Sequence, residues 1–161
     1  MLANRIVNPL RARCCDGGEV YTLGPQPGSS VERNHLVNHG EFKRHGQSSY
    51  ATQPNPIYHD NGSGGFTDKN NVIEGSWEHV CGENAPQGCK KCPLSCPDSS
   101  GKEGDCSISF VDNWLFRSTF KKHEQCTKAG AHVSGTVNVT GGTLPPDAQA
   151  IVDAAGPRVK K

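Results

Sequence analysis

The feature that most constrains this chain is an imperfect internal repeat. Gly18-Glu19-Val20-Tyr21-Thr22-Leu23 is echoed by Asn55-Pro56-Ile57-Tyr58-His59-Asp60, with Val20 matching Ile57 and Tyr21 matching Tyr58. Val31-Glu32-Arg33-Asn34-His35-Leu36-Val37 is echoed by Thr67-Asp68-Lys69-Asn70-Asn71-Val72-Ile73, which aligns Asn34 with Asn70. Phe110-Val111-Asp112-Asn113-Trp114-Leu115-Phe116 repeats the heptamer more loosely, and Val133 to Val139 supplies a fourth copy with Thr136 at the Asn position. A unit of this size cannot bury its apolar side alone, so units must stack. The expected architecture is all-β: a right-handed parallel β-helix with Asn34, Asn70 and Asn113 in one column. A side-chain amide ladder at a bend satisfies polar groups that a sharp turn would otherwise leave unpaired. The plainer alternative is that Asn only marks turns.

Composition agrees with short strands and many turns. Of 161 residues only 33% are hydrophobic, 19 are Gly and 11 are Pro, and the mean hydropathy is -0.63. At 20% charged with a net charge of +1 the chain is unlike a disordered tail. That balance gives no electrostatic case for nucleic acid or an anionic membrane surface. No stretch approaches the ~20 apolar residues of a membrane span.

The repeat is expected to fill residues 14–157 as the last turns of a longer β-helix, with terminal tails at 1–13 and 158–161. Polar residues 39–54 and the cysteine-rich residues 82–105 read as surface-loop insertions. Pro145-Pro146 and Gly156-Pro157 are helix start and stop signals, and Ala148, Ile151, Val152 and Ala155 share one face. A short amphipathic helix there is expected to cap the open end of the stack.

The eight cysteines stand at 14, 15, 81, 89, 92, 96, 106 and 126. An even count in a loop-rich chain suggests disulfides and an oxidising compartment, and disulfides among Cys81, Cys89, Cys92, Cys96 and Cys106 are favoured over a four-thiolate zinc site. Asn61 and Asn138 each head an Asn-X-Ser/Thr sequon. Together these point to the extracellular space or secretory pathway; a monomer without cofactor or metal is expected. Asp60, Asn61 and Asp68 are the best oxygen donors for a Ca²⁺ site.

Asp16 to Gly28, Ile57 to Thr67 and the ending Pro146 to Gly156 resemble segments of large right-handed β-helix proteins of the pectate-lyase-like superfamily. The resemblance spans about residues 14–157 and is weak through 82–105. It implies the fold and a surface active on polysaccharides, with acidic residues on the exposed side of one sheet. The matched acidic positions are Asp16 and Asp60; Glu19 departs from the small residue usual there. The superfamily includes glycoside hydrolases, polysaccharide lyases and proteins of no known role, so fold alone does not fix activity.

If Val20 and Ile57 face inward, strand alternation turns Glu19, Tyr21, Tyr58 and Asp60 outward and His59 inward. A further strand at Trp77-Glu78-His79-Val80 sets Glu78 beside Tyr58. Asp60 and Glu78 are then roughly 8 Å apart on strand spacing, inside the ~6.5–9.5 Å of an inverting glycosidase pair. Asp16, Glu19, Asp60 and Glu78 are the candidate catalytic carboxylates, and Tyr21, Tyr58 and His59 the candidate substrate contacts. Against this stand a solvated sheet face, a cross-strand aromatic pair, and a buried structural His. A glycoside hydrolase-like enzyme and a non-catalytic carbohydrate-binding or structural segment both remain open.

Overall fold

The computed structural model describes residues 1–7, 18–38, 55–59, 63–75, 96–97, 103–104, 108–116 and 131–157. In chain order the strands are β1 (Arg5–Val7), β2 (Gly18–Thr22), β3 (Pro25–Glu32), β4 (His35–Asn38), β5 (Asn55–His59), β6 (Gly64–Lys69) and β7 (Val72–Gly75). Then come β8 (Cys96–Pro97), β9 (Glu103–Gly104), β10 (Ile108–Val111), β11 (Trp114–Phe116), β12 (Ala131–Ser134), β13 (Val137–Val139) and the helix α1 (Pro146–Ala154).

The strands form parallel sheets. One has five strands in the order β1-β4-β7-β11-β13, a second has four in the order β12-β10-β6-β3, and a third holds β2 and β5. Each step along the five-stranded sheet skips to a strand of the next repeat, so the repeats lie in tiers. The short β8–β9 pair, inside the expected 82–105 loop, is antiparallel.

Apolar side chains from all three sheets meet in one core. Val20, Val31, Leu36, Ile57, Phe66, Ile73, Ile108, Phe110 and Leu115 are buried together, with Ile6 and Val133 packed against them. Each fully buried Leu, Ile or Phe contributes about 1.5–3 kcal/mol relative to its exposed state, so the alternating pattern of the strands explains the stacking.

The bend between the four- and five-stranded sheets is built the same way in every tier. One residue takes a left-handed conformation: Ala3, Arg33, Asn70 and Asp112 have φ of 52–54°, and Gly135 has φ 59°. A Cβ on Gly135 would fall 1.8 Å from Asp112 Oδ1, so a larger residue at that tier would have to displace the Asp112 side chain, although the φ itself is held by non-glycine residues in the other tiers. The next residue joins a buried amide column. The Asn34 backbone N–H donates to Asn71 Oδ1 at 3.0 Å, and the Asn71 N–H donates to Asn113 Oδ1 at 3.0 Å. Asn34 Nδ2 donates to Asn71 Oδ1 at 2.9 Å and Asn71 Nδ2 to Asn113 Oδ1 at 3.0 Å. Asn71 Nδ2 also donates to the Val31 carbonyl, and Asn113 Nδ2 to the Asp68 carbonyl.

Three expectations are corrected. The column runs through Asn71, not Asn70. Leu36 pairs with Ile73 and Val31 with Asp68, so the heptamers are offset by one residue from the alignment expected, and Asn70 is the left-handed residue before the column. Residues 1–7 are not a tail. β1 pairs with β4, Leu2 bridges to Glu32, and the Asn4 N–H donates to Asn34 Oδ1 at 2.9 Å. The helix does not close the end of the stack. Ala148 and Ile151 bury against Val72, with Trp114, Leu144 and Val152 alongside. Val72 neighbours the inward Ile73 and so points out of the five-stranded sheet. The helix therefore lies on the outer side of that sheet, and just beyond it the Gly156 N–H donates to the Ala3 carbonyl at 3.0 Å.

Candidate functional site

The two strands of the third sheet carry the described part of the expected site. Gly18 pairs with Asn55, Val20 with Ile57, Tyr21 with Tyr58 and Thr22 with His59. Val20 and Ile57 are buried, which fixes the faces: Val20, Thr22, Ile57 and His59 on the core side, Glu19, Tyr21 and Tyr58 on the other.

Tyr21 and Tyr58 stack in adjacent tiers as the register requires. Their ring centroids lie 5.4 Å apart, with an interplanar angle of 69°. This is edge-to-face packing, the arrangement the ring quadrupoles favour. The pair therefore forms a corner rather than a flat shelf. Tyr21 is the more open of the two, at 44% exposure, while Tyr58 is half-buried.

Glu19 lies on the same side, two residues from Tyr21. Both of its carboxyl oxygens are buried and meet no hydrogen-bond partner among the described residues. Burial pushes its pKa from the ordinary 4.5 up to about 8, because removing water penalises the charged form. Strand alternation points to a solvated carboxylate at this position; the structure places a covered one that keeps its proton at neutral pH.

His59 is fully buried, as its inward phase predicts. Its Nε2 lies 2.7 Å from Asp68 Oδ2 and its Nδ1 lies 2.7 Å from Thr22 Oγ1. Thr22 Oγ1 is 3.0 Å from Ser63 Oγ, and Ser63 Oγ also reaches the Thr22 carbonyl at 3.1 Å. Phe66 and Phe110 pack on the imidazole at 4.7 and 6.2 Å between centroids. The ring is thus walled off from the tyrosine face. It lies in the interior, not on the face where a substrate contact is expected.

Asp68 is also fully buried and engaged with His59, so it is turned away from any surface calcium site. Among the described residues no three His, Cys, Asp or Glu side chains gather as metal ligands. Thr22, Ser63 and Asp68 are His59 neighbours that residue type alone does not point to. Their signal is the shared register, since Thr22 falls opposite His59 in the repeat that aligns Tyr21 with Tyr58.

Asp16, Asp60 and Glu78 lie outside the described residues, as do Asn61, Trp77, His79 and every cysteine except Cys96. A second His–carboxylate pair, His35 Nε2 to Glu74 Oε1 at 2.7 Å, sits on the five-stranded sheet. Among the described residues no helix is long and apolar enough to cross a membrane. The chain matches no family model, no curated protein and no solved structure.

Proposed function

We propose that this chain is a stretch of right-handed parallel β-helix, exported from the cell, that binds a polysaccharide or oligosaccharide on the sheet formed by β2 and β5. The observation that carries this reading is the stacked Tyr21–Tyr58 pair at 5.4 Å, with Tyr21 open to solvent. Sugar rings present C–H groups that pack on aromatic faces, and the hydroxyls around them stay in water. A corner of two perpendicular rings suits a bent or terminal sugar better than a flat ribbon of chain. The parallel tiers and the amide column support the β-helix form, in keeping with the resemblance of Asp16–Gly28 and Ile57–Thr67 to the pectate-lyase-like superfamily.

The test is binding to a panel of oligosaccharides by calorimetry, with Tyr21→Ala and Tyr58→Ala compared with the parent. Tyr21→Ala is expected to weaken binding about tenfold, in line with the ~1.4 kcal/mol per decade of affinity and the worth of an aromatic contact. Binding indifferent to both substitutions would move the ligand off this face.

A second reading, glycoside hydrolysis, is favoured by Glu19. Cleavage needs one carboxylic acid to protonate the leaving oxygen and one carboxylate as base or nucleophile. A carboxyl still protonated near neutral pH, two residues from Tyr21, has the first property. Its ionised partner must be a carboxylate within the ~5–9.5 Å of a glycosidase pair, which excludes Asp60, four columns away or roughly 13 Å along the strand. Turnover that falls as pH rises through about 8, and is lost in Glu19→Gln, supports this reading; turnover unchanged in that variant removes Glu19 from the chemistry.

A further inference from the structure

The two ends of the stack differ in chemistry. Along the five-stranded sheet, one core-facing column reads Ile6, Leu36, Ile73, Leu115 and then Asn138. Leu36, Ile73 and Leu115 are essentially inaccessible to solvent. Asn138, in register with Leu115, is exposed. Its neighbour Val137 is 50% exposed. Among the described residues no strand pairs beyond β13.

Such an edge is a liability. A parallel strand with two valines and no charge, unpaired on one edge among the described residues, offers backbone donors and acceptors to any strand that approaches. The helix does not cover it, because α1 packs against Val72 in the middle of the sheet. A bulky hydrated group on this strand would shield it from such addition.

The sequence supplies a chemical means. Asn138-Val139-Thr140 is an N-glycosylation sequon with a non-proline centre, followed by Gly141. Asn138 and Thr140 are both exposed. A glycan on Asn138 would extend from the last position of a core-facing column, over the end of the stack. We propose that Asn138 is an N-glycan acceptor and that its glycan closes this end against strand addition. The inference rests on the exported location proposed above.

The co-substrate is a lipid-pyrophosphate-linked oligosaccharide of the secretory pathway. The carboxamide nitrogen of Asn138 forms a bond to the anomeric carbon. The bond from that carbon to the pyrophosphate oxygen breaks, the amide gives up one proton, and the lipid pyrophosphate leaves. No oxidation or reduction is involved. The attached sugar is bulky and hydrated, and it blocks approach in the direction a further strand would need.

The test expresses the full chain behind a cleavable leader in cultured eukaryotic cells, with intact-mass and peptide mapping of the secreted protein. The peptide bearing Asn138 is expected to carry a glycan that a glycan-releasing amidase removes. It should be bare in Asn138→Gln and in Thr140→Ala, the second of which keeps the asparagine. A folded, secreted chain bare at Asn138 overturns the acceptor. Light scattering over rising concentration then compares the glycosylated parent with Thr140→Ala, which carries no new charge. The parent is expected to stay monomeric while the variant associates; equal behaviour overturns the closing role. Locating the protein in its own cells separates the premises. Confinement to the cytosol overturns the exported location and with it the biological role, whereas an exported chain without the glycan overturns the acceptor alone.

Discussion

Two buried polar regions of this molecule follow opposite rules. In the bend column, the amides of Asn34, Asn71 and Asn113 hydrogen-bond to one another and to neighbouring carbonyls. Behind the tyrosine face and beside it, polar atoms are left over. Both Glu19 oxygens and Asp68 Oδ1 are buried without partners among the described residues. A buried polar group without a partner costs about 1–3 kcal/mol, so the column defines the fold while the second region withholds stability from it. Unspent polar capacity of this kind is expected where a chain handles protons or ligands rather than where it only packs.

The largest expected effect is in the column. Asn71→Leu removes the acceptor for the Asn34 N–H and Nδ2 and the donor to Asn113. It should cost about 3–5 kcal/mol in urea unfolding, since several buried groups lose their partners together. Asn70→Gly, one residue earlier, replaces a left-handed residue by one that adopts that conformation freely, and should shift stability by less than ~1 kcal/mol. Equal costs at the two positions would dissolve the distinction between column and bend.

The His59–Asp68 pair comes next. His59→Leu leaves Asp68 buried without the His59 imidazole that it meets at 2.7 Å and should cost about 3 kcal/mol. His59→Leu combined with Asp68→Leu should cost less than the sum of the single changes, because the orphaned carboxylate is gone as well. Additive costs would mean the two side chains do not support one another.

Glu19 tests the second region through pH. The folded chain holds the Glu19 proton up to about 8, whereas the ordinary value is 4.5. Between those values the folded state binds more protons than the unfolded state, so this group makes stability fall as pH rises through the window. Its favourable contribution is complete below about 4.5 and lost above about 8. Glu19→Gln should flatten that slope and raise stability near pH 8 by about 1–2 kcal/mol, the scale of an unpaired buried polar group. A parent whose melting temperature does not change over the window would show the carboxyl to be hydrated.

The smallest effect is at the last tier. Thr136 occupies the column position, yet its Oγ1 is buried without a partner among the described residues. Thr136→Asn offers the carboxamide oxygen that Asn71 offers to Asn34, and should gain about 0.5–1 kcal/mol. A loss instead would show that this end cannot hold the longer side chain.

Much of this was legible in the sequence, and the misreadings have physical causes. Tyr21 over Tyr58 and Val20 over Ile57 follow from the repeat alone. The same spacing, 37 residues, separates Asn34 from Asn71. What obscures it is Asp68, a carboxylate in the place held by Val31 and Phe110 in the neighbouring tiers. With an apolar marker missing there, matching Thr67 to Val31 looks better by hydropathy. His59 is the second departure from the apolar pattern, and the two departures satisfy each other across nine residues. Pairwise compensation in space leaves no trace in a linear pattern. The first strand did leave one. Asn4-Arg5-Ile6-Val7 has the same order of amide, basic residue and two aliphatics as Asn34-His35-Leu36-Val37. The covering of Glu19 has no such signature, since alternation gives the side of a strand and not what lies over it.

The amide column has a further consequence for how such a chain can change length. Successive members are 30, 37 and 42 residues apart, yet they meet at nearly the same hydrogen-bond distance. Spacing is set by contact in space, and the intervening peptide is free to vary. A segment inserted between strands alters no register as long as the left-handed residue and the amide that follows it are kept. The molecule can therefore gain or exchange whole excursions of chain, each carrying its own chemistry, without renegotiating its interior. Grafting foreign segments into this scaffold should succeed between tiers and fail within the two residues of the bend.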